Sequence, residues 1–479
     1  MRHTILHKFE RGQAIILIAL AAIGLIAMVG LMVDGGVLLI EYGRLKRGID
    51  AASLSAALQY REGYTIDELT NAAQEFLQLN QSDVFDIHVY VAPPPCSSSI
   101  ANTDPSLLTN PCRKLVRVTA SRHVDFGFLP VIGIRGTDIT ATSVGEAASV
   151  DVVIILDASA SMAYEGGGSL TAGDSPADDP SVCNPNNSCH PFHEIKDVAV
   201  EFVNQLYFPY DRVSIITFDR NARVILPLDA TDGMSGAQAK TTVVDALNGL
   251  TVFQPAQICP NPVAGASPNT HCLNYTGAGG TYSGLEYPLY RFGGNTDPSS
   301  VPSSNIGDAL WLAGDEFGLG RQDSLWVTII LAGGPTNTGC TQHNCVGKPT
   351  YGDGRICPPS TWVSPFCRGG DVSSATRHAS TSVNYDADDW ARDAADFLAN
   401  PTTGQGVAIF SIGLGNLIRN SPVGDAAAGE KLLSYAATTA GDTATADANH
   451  GLYFYAPNAS DLREIFRKIA ESIATRLSQ

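Results

Sequence analysis

The chain has 479 residues, 44% of them hydrophobic and 16% charged, the composition of a folded protein of two or three domains rather than a disordered one. Asp and Glu number 48 against 30 Lys and Arg, a formal net charge of −18, so no nucleic-acid partner is expected through a general basic surface. An acidic surface suits an extracellular, cation-rich setting.

Met1 to Arg11 is short and basic, with Arg2, Lys8 and Arg11, and Ala14 to Val33 is an unbroken apolar run. Twenty such residues make a helix of about 30 Å, enough to cross the hydrocarbon core of a bilayer. A cleaved signal peptide has the same plan. Its apolar part is usually shorter and ends in a small-x-small site, whereas this run ends Leu31-Met32-Val33-Asp34-Gly35-Gly36, so a retained anchor is expected. Arg44, Lys46 and Arg47 compete with the N-terminal charges in setting orientation. The cysteines break the tie. Cys96, Cys112, Cys183, Cys189, Cys259, Cys272, Cys340, Cys345, Cys357 and Cys367 all follow the run, in Pro-, Asn-, Ser- and Gly-rich stretches, the pattern of disulfides outside the reducing cytosol. The expected layout is a single-pass cell-membrane protein: residues 1–13 cytoplasmic, 14–33 spanning, the remainder extracytoplasmic. Pairing in sequence order, with Cys183 joined to Cys189 and so on, is the simplest scheme; the last four could pair otherwise. Structural zinc at Cys189, His190 and His193, or at Cys340 and Cys345, is the rival, although none has a paired CxxC spacing.

Beyond the bilayer Leu38, Tyr42, Leu45, Ile49, Ala52 and Ala56 recur at three or four, so one helix is expected to run on to about Gln59. The stretch Arg11-Gly12-Gln13-Ala14 through Val33-Asp34-Gly35-Gly36 to Ile49-Asp50-Ala51-Ala52-Ser53 resembles the N-terminal segment of TadE/TadG-type proteins of tight-adherence (Tad) pilus assembly. That resemblance implies other pilus-assembly components as partners. A prepilin would want Glu five residues after the cleaved glycine, and Leu17 stands there. An amphipathic helix from Ile66 to Leu79 and β-like runs at Val84 to Val91, Leu115 to Ala120 and Asp138 to Val144 complete a helical stalk and small α+β module over 34–148, with no chemistry assigned.

From 149 to 479 the pattern changes. Val150 to Leu156 holds six apolar residues in seven, the sign of a strand buried on both faces, and runs straight into Asp157-Ala158-Ser159-Ala160-Ser161. A carboxylate and two hydroxyls at the carboxyl end of such a strand point into the usual binding crevice and are hard oxygen donors suited to Mg²⁺ or Mn²⁺. Asp and Ser after a strand also serve as cap or turn residues. The segment resembles the first motif of the von Willebrand factor type A domain, which implies a metal-ion-dependent adhesion site. Ser303-Ser304-Asn305-Ile306-Gly307 resembles the second motif, with Ser304 in the threonine position; Gly279-Gly280-Thr281 is a rival. The resemblance thus implies Asp157, Ser159, Ser161 and Ser304 as metal ligands. In the third motif Leu331-Ala332-Gly333-Gly334 replaces Thr-Asp-Gly, so Gly333 stands where the acidic ligand belongs and metal affinity should fall.

Helices at Glu194 to Leu206, Gly236 to Leu250, Ala387 to Leu398, Glu430 to Thr439 and Ser460 to Leu477 alternate with strands at Arg212 to Asp219, Ala222 to Leu228, Leu325 to Leu331, Gly406 to Ile412 and Leu452 to Tyr455. Cysteine-bearing insertions interrupt them. The expected class is α/β, a doubly wound, mostly parallel sheet of the von Willebrand A or Rossmann-like kind. No GxSxG, HExxH or phosphate loop is present, and no enzyme is expected. Two functions fit: a membrane-anchored binding protein that holds a protein or cell-surface ligand at its strand-end crevice, through a degenerate metal site, or a metal-independent scaffold of a pilus or cell envelope.

Overall fold

The computed structural model describes residues 11–60, 65–92, 105–108, 113–163, 180–219, 221–253, 271–275, 282–286, 304–321, 323–336, 339, 362–363, 366–367, 376–382, 385–420, 425–444 and 447–477. The chain divides into two units, Met1–Ala147 and Ala148–Gln479.

In the first unit one helix, α1 (Arg11–Leu58), carries the apolar run onward without a break, and α2 (Ile66–Asn80) starts at a capping box between Thr65 and Glu68. Strands β1 (Val84–Val91), β2 (Lys114–Asp125) and β3 (Gly136–Ala147) form an antiparallel sheet with β2 in the centre. Strands β2 and β3 are longer than the sequence suggested, because polar residues such as Arg122, His123 and Asp138 continue a ladder whose outer face is wet. The periodic residues Leu45, Ile49, Ala52 and Ala56 are buried. Gly145 of β3 lies so close to α1 that a Cβ there would sit 2.4 Å from the Ser53 carbonyl carbon and oxygen. Further up the helix most apolar side chains are exposed: Ile15 is 70% and Met32 64% exposed. Among the described residues this is the one helix long and apolar enough to cross a membrane.

The second unit is built on a six-stranded sheet. Its strands are β4 (Ser149–Asp157), β5 (Arg212–Phe218), β6 (Ala222–Leu226), β9 (Ser324–Ala332), β12 (Ala408–Leu414) and β13 (Tyr453–Ala456), in the order β13-β12-β9-β4-β5-β6. All pairs are parallel except the β5–β6 hairpin at one edge. Short hairpins β7 (His271–Tyr275) with β8 (Tyr282–Glu286) and β10 (Trp362–Val363) with β11 (Phe366–Cys367) lie in the insertions.

Successive side chains of β4 point to opposite faces. Val150, Val152, Ile154 and Leu156 enter one core with α4 (Phe192–Val203), α5 (Gly236–Asn248) and α9 (Leu462–Leu477). Val153 and Ile155 enter the other with α6 (Ile306–Phe317), α7 (Ala387–Ala399) and α8 (Ala428–Thr438). This is the expected doubly wound α/β arrangement, covered on both faces. The insertion after β4 also holds a short helix, α3 (Pro180–Asn186), and the Cys183–Cys189 disulfide expected from sequence order. The side chains of the other eight cysteines lie outside the described residues.

Asp151, a carboxylate near the start of the central strand, is fully buried. It accepts the Arg321 backbone N–H at 2.9 Å, Arg321 Nε–H at 3.1 Å and the Ser324 hydroxyl at 2.8 Å, with Arg321 Nη2 also donating. Removing one partner of a buried pair strands the other charge. Asp151→Ala is therefore expected to cost about 3–5 kcal/mol in denaturant unfolding, whereas breaking the exposed Arg463–Glu201 pair with Glu201→Ala should cost less than about 1 kcal/mol. Similar losses for the two would contradict a structural role for Asp151.

Candidate functional site

Connections leave β4 towards β5 on one side, and the chain later returns to β9 on the other side. The carboxyl ends of β4 and β9 therefore flank the point where strand order reverses, the place at which open α/β sheets form a crevice. Asp157 ends β4 and Gly333 follows β9 immediately.

Across that gap Asp157 Oδ2 accepts the Gly333 N–H at 2.9 Å, while Oδ1 accepts the Ser159 N–H at 2.9 Å. The Ser159 hydroxyl also bonds to the carboxylate. Asp157 is 1% exposed and Ser159 2%. Burial raises the Asp157 carboxyl to about 6; the Gly333 and Ser159 bonds oppose that rise, and the charge of Asp219 adds to it. Asp219 follows β5, is buried, and pairs with Arg223 at 2.6 Å.

Backbone bonds tie the neighbouring loops together. Ala158 N–H donates to the Phe218 carbonyl at 2.8 Å, Asn305 N–H to the Asp219 carbonyl at 2.9 Å, and Phe253 N–H to the Ala158 carbonyl at 2.7 Å. Ser304, 6% exposed, sits in the loop before α6, its carbonyl accepting the Thr336 hydroxyl at 2.9 Å. Asn305 caps α6 through the Asp308 N–H, and buried Asp308 accepts Trp390 Nε1–H of α7 at 2.9 Å. A Cβ at Gly307 would lie 2.3 Å from the Trp390 ring, so glycine is what lets α7 approach. Thus Asp157 and Ser159 meet, and Ser304 lies in a loop bonded to the end of the adjacent strand. Ser161 falls in the 3-10 turn Ala160–Ala163, with its side chain outside the described residues.

A dication needs more than this set offers. Both oxygens of Asp157 already accept amides. A Cβ at Gly333 would lie 1.9 Å from the Met162 methyl, which is buried, so an apolar group fills the space from which a third-motif carboxylate would reach. Among the described residues the set offers one carboxylate, Asp157, with the hydroxyl-bearing Ser159 and Ser304, a sparse ligand set for a resident Mg²⁺ or Mn²⁺.

Sequence reasoning missed two groups of acids. Asp219 was visible only as the end of a strand. At the start of α7 the ligand-type atoms of His378, Asp386 and Asp389 lie within 4.8 Å of one another. Asp386 Oδ1 accepts the Asp388 and Asp389 N–H groups, and Asp389 accepts the N–H groups of Asp386 and His378 and contacts His378 Nδ1 at 3.0 Å. Burial, reinforced by the charge of Asp389, pushes Asp386 up to about 8. A run of Asp before a helix is a capping signal, and capping occupies these oxygens.

No family model and no curated protein matches the chain. Solved structures that resemble it include proximal thread matrix protein 1 from the mussel byssus, 13% identical over 68% of this chain and 47% of that one, TM-score 0.32. The chain thus spans about half the length of that protein. A mutant of the PilB minor pilin from Streptococcus sanguinis is 12% identical over 82% of this chain and 80% of that one, TM-score 0.39. The von Willebrand factor domain of the type V pili tip protein Mfa5 from Porphyromonas gingivalis is 11% identical over 70% of this chain and 97% of that one, TM-score 0.36. At these values the likeness carries no argument about function. The doubly wound, mostly parallel fold rests on the strand order and connections described above.

Gly333→Asp requires the Met162 methyl, the far end of a flexible side chain, to turn aside, and is expected to cost less than about 1.5 kcal/mol in urea unfolding. Combined with Met162→Ala it should gain an Mg²⁺-dependent rise in Tm that neither single variant has. A loss above about 3 kcal/mol would mean that Met162 cannot turn aside. Asp157 also gives a pH signature. Its folded pKa lies above its unfolded one, so the ionised form destabilises the fold, and stability rises as pH falls through about 6 towards 4. Relative to Asp157→Asn, the wild type should gain about 2 kcal/mol between pH 7.5 and 4.5 in urea unfolding; a constant difference would contradict a carboxyl held partly neutral.

Proposed function

We propose that this chain is a membrane-anchored, extracytoplasmic binding protein of a Tad-type pilus-assembly or surface-adhesion apparatus. Residues 14–33 span the cell membrane with the N-terminus in the cytoplasm. The strand-end crevice of the second unit, with Asp157, Ser159 and Ser304 at its floor and rim and Ser161 in the turn that follows β4, holds a protein or cell-surface ligand and transforms nothing. The observation that carries this reading is the junction at the switch point: oxygen donors and amides are fixed there by the Asp157 bonds to Gly333 and Ser159. A base poised beside an exposed nucleophile is not what these residues form. The Met162 methyl in the third-motif space favours docking without a resident metal. The uncovered apolar helix supports the anchor, and the Cys183–Cys189 disulfide supports an oxidising compartment for the second unit.

In the native host, Asp157→Ala and Ser304→Ala chains present at wild-type level in the membrane should lose surface adhesion or pilus display as fully as deletion of the chain. Adhesion by the wild type should withstand chelation with EDTA. Unimpaired variants would end the assignment to this crevice, and loss of adhesion on chelation would return a metal to it.

A further inference from the structure

The hairpin joining β2 to β3 carries nine residues without a charge, Phe126-Gly127-Phe128-Leu129-Pro130-Val131-Ile132-Gly133-Ile134, between Asp125 and Arg135. A surface loop is normally polar. Here Phe128 is 47%, Val131 80%, Ile132 56% and Ile134 48% exposed. Above this tip the hairpin turns polar at once: His123 pairs with Asp138 at 2.6 Å, and the Asp125 side chain is 89% exposed.

The tip lies against α1 within the same unit. It forms a shallow apolar groove with Ile23, Ile26, Ala27 and Gly30, all inside the run that spans the membrane. Gly30 permits the approach, since a Cβ there would sit 2.7 Å from Phe128 Cβ. The contact is held by Asp34, 1% exposed, whose carboxylate accepts the N–H groups of Gly127 at 2.8 Å, Phe128 at 3.0 Å and Leu129 at 2.7 Å. From Asp34 back to Ile23 is about 16 Å of helix, half the thickness of a hydrocarbon core of about 30 Å.

Seven of the tip's eight backbone N–H groups find acceptors inside the protein, which lowers the cost of placing it in lipid. Phe126 N–H donates to the Arg135 carbonyl, Val131 N–H to Phe128, Gly133 N–H to Pro130 and Ile134 N–H to Leu129. Asp34 takes three more, and Pro130 has none to place.

We propose that the β2–β3 tip is a membrane wedge, seated among the acyl chains of the outer leaflet beside the anchor. Its occupant is lipid because the helix segment it touches is itself uncovered, with Ile23 60% and Ile26 58% exposed, so whatever surrounds one surrounds the other. The wedge fixes the first unit to the bilayer at two points, which sets its tilt and depth as a single helix does not. This inference rests on the reading of residues 14–33 as a retained anchor.

The test uses the full chain in phosphatidylcholine–phosphatidylglycerol vesicles whose lipids are brominated either near the glycerol or near the end of the acyl chain. Val131→Trp reports the tip and Ile23→Trp reports the anchor; the wild type supplies the background from Trp311, Trp326, Trp362 and Trp390, all in the second unit. Val131 is exposed, so a larger side chain fits without repacking. The fluorescence added at 131 should be lost in brominated vesicles to the same share as that added at 23. Quenching at 23 without quenching at 131 overturns the wedge and leaves the anchor standing. A blue-shifted but unquenched 131 overturns it in favour of a protein cover. Quenching at neither position removes the anchor and the wedge together.

Discussion

The second unit depends on one carboxylate with two duties. Asp157 ends the central strand, and its two oxygens accept the first amide beyond β9 and the second amide beyond its own strand. Strands β4 and β9 are joined by a long crossover, and the parallel ladder between them runs to Leu156 and Leu331. The shared carboxylate closes the gap beyond its last rung. Without it, two amides at the mouth of a buried crevice would lack acceptors, at a cost of about 1–3 kcal/mol each.

That duty has a consequence for charge. A carboxyl so deeply buried, with Asp219 near enough to oppose its ionisation, resists full deprotonation at neutral pH. A metal-ion site normally compensates such burial with the dication itself. Here the compensation comes from amides, and the space that a second carboxylate would use is filled by the Met162 methyl. Gly333 and Met162 belong together: the methyl occupies the space that a side chain at 333 would enter, and it is the movable end of a flexible side chain.

The pattern of helices and parallel strands was legible because burial on both faces writes long apolar runs, and helices covering a sheet write a 3.6-residue period. The long α1 was legible for the same reason, as were Asp157 and Ser159 at a strand end. What escaped was set by contacts distant in sequence. Arg321 reaches Asp151 across 170 positions. Asp34 captures amides 93 to 95 residues away, and nothing in its local sequence signals that. Met162 gave no signal in the sequence, although its methyl occupies the space that a side chain at 333 would enter. The Asp386–Asp389 capping box was written in the sequence but hidden by the cysteine-rich insertion before it.

The acidic composition changes meaning in this light. A formal charge of −18 suggests a surface that repels polyanions and attracts cations. Yet Asp34, Asp151, Asp157, Asp219, Asp308, Asp386, Asp388 and Asp389 are all buried. Several of them spend their oxygens on backbone amides at loop starts and helix caps, where a short acceptor side chain closes what the chain cannot close for itself. A protein with long insertions has many such ends. Part of the excess of aspartate is therefore a requirement of the loops, and the surface available to a partner is less acidic than the count implies. Under the proposed function, recognition at the strand-end face turns on shape and on fixed donors and acceptors, and only secondarily on long-range attraction.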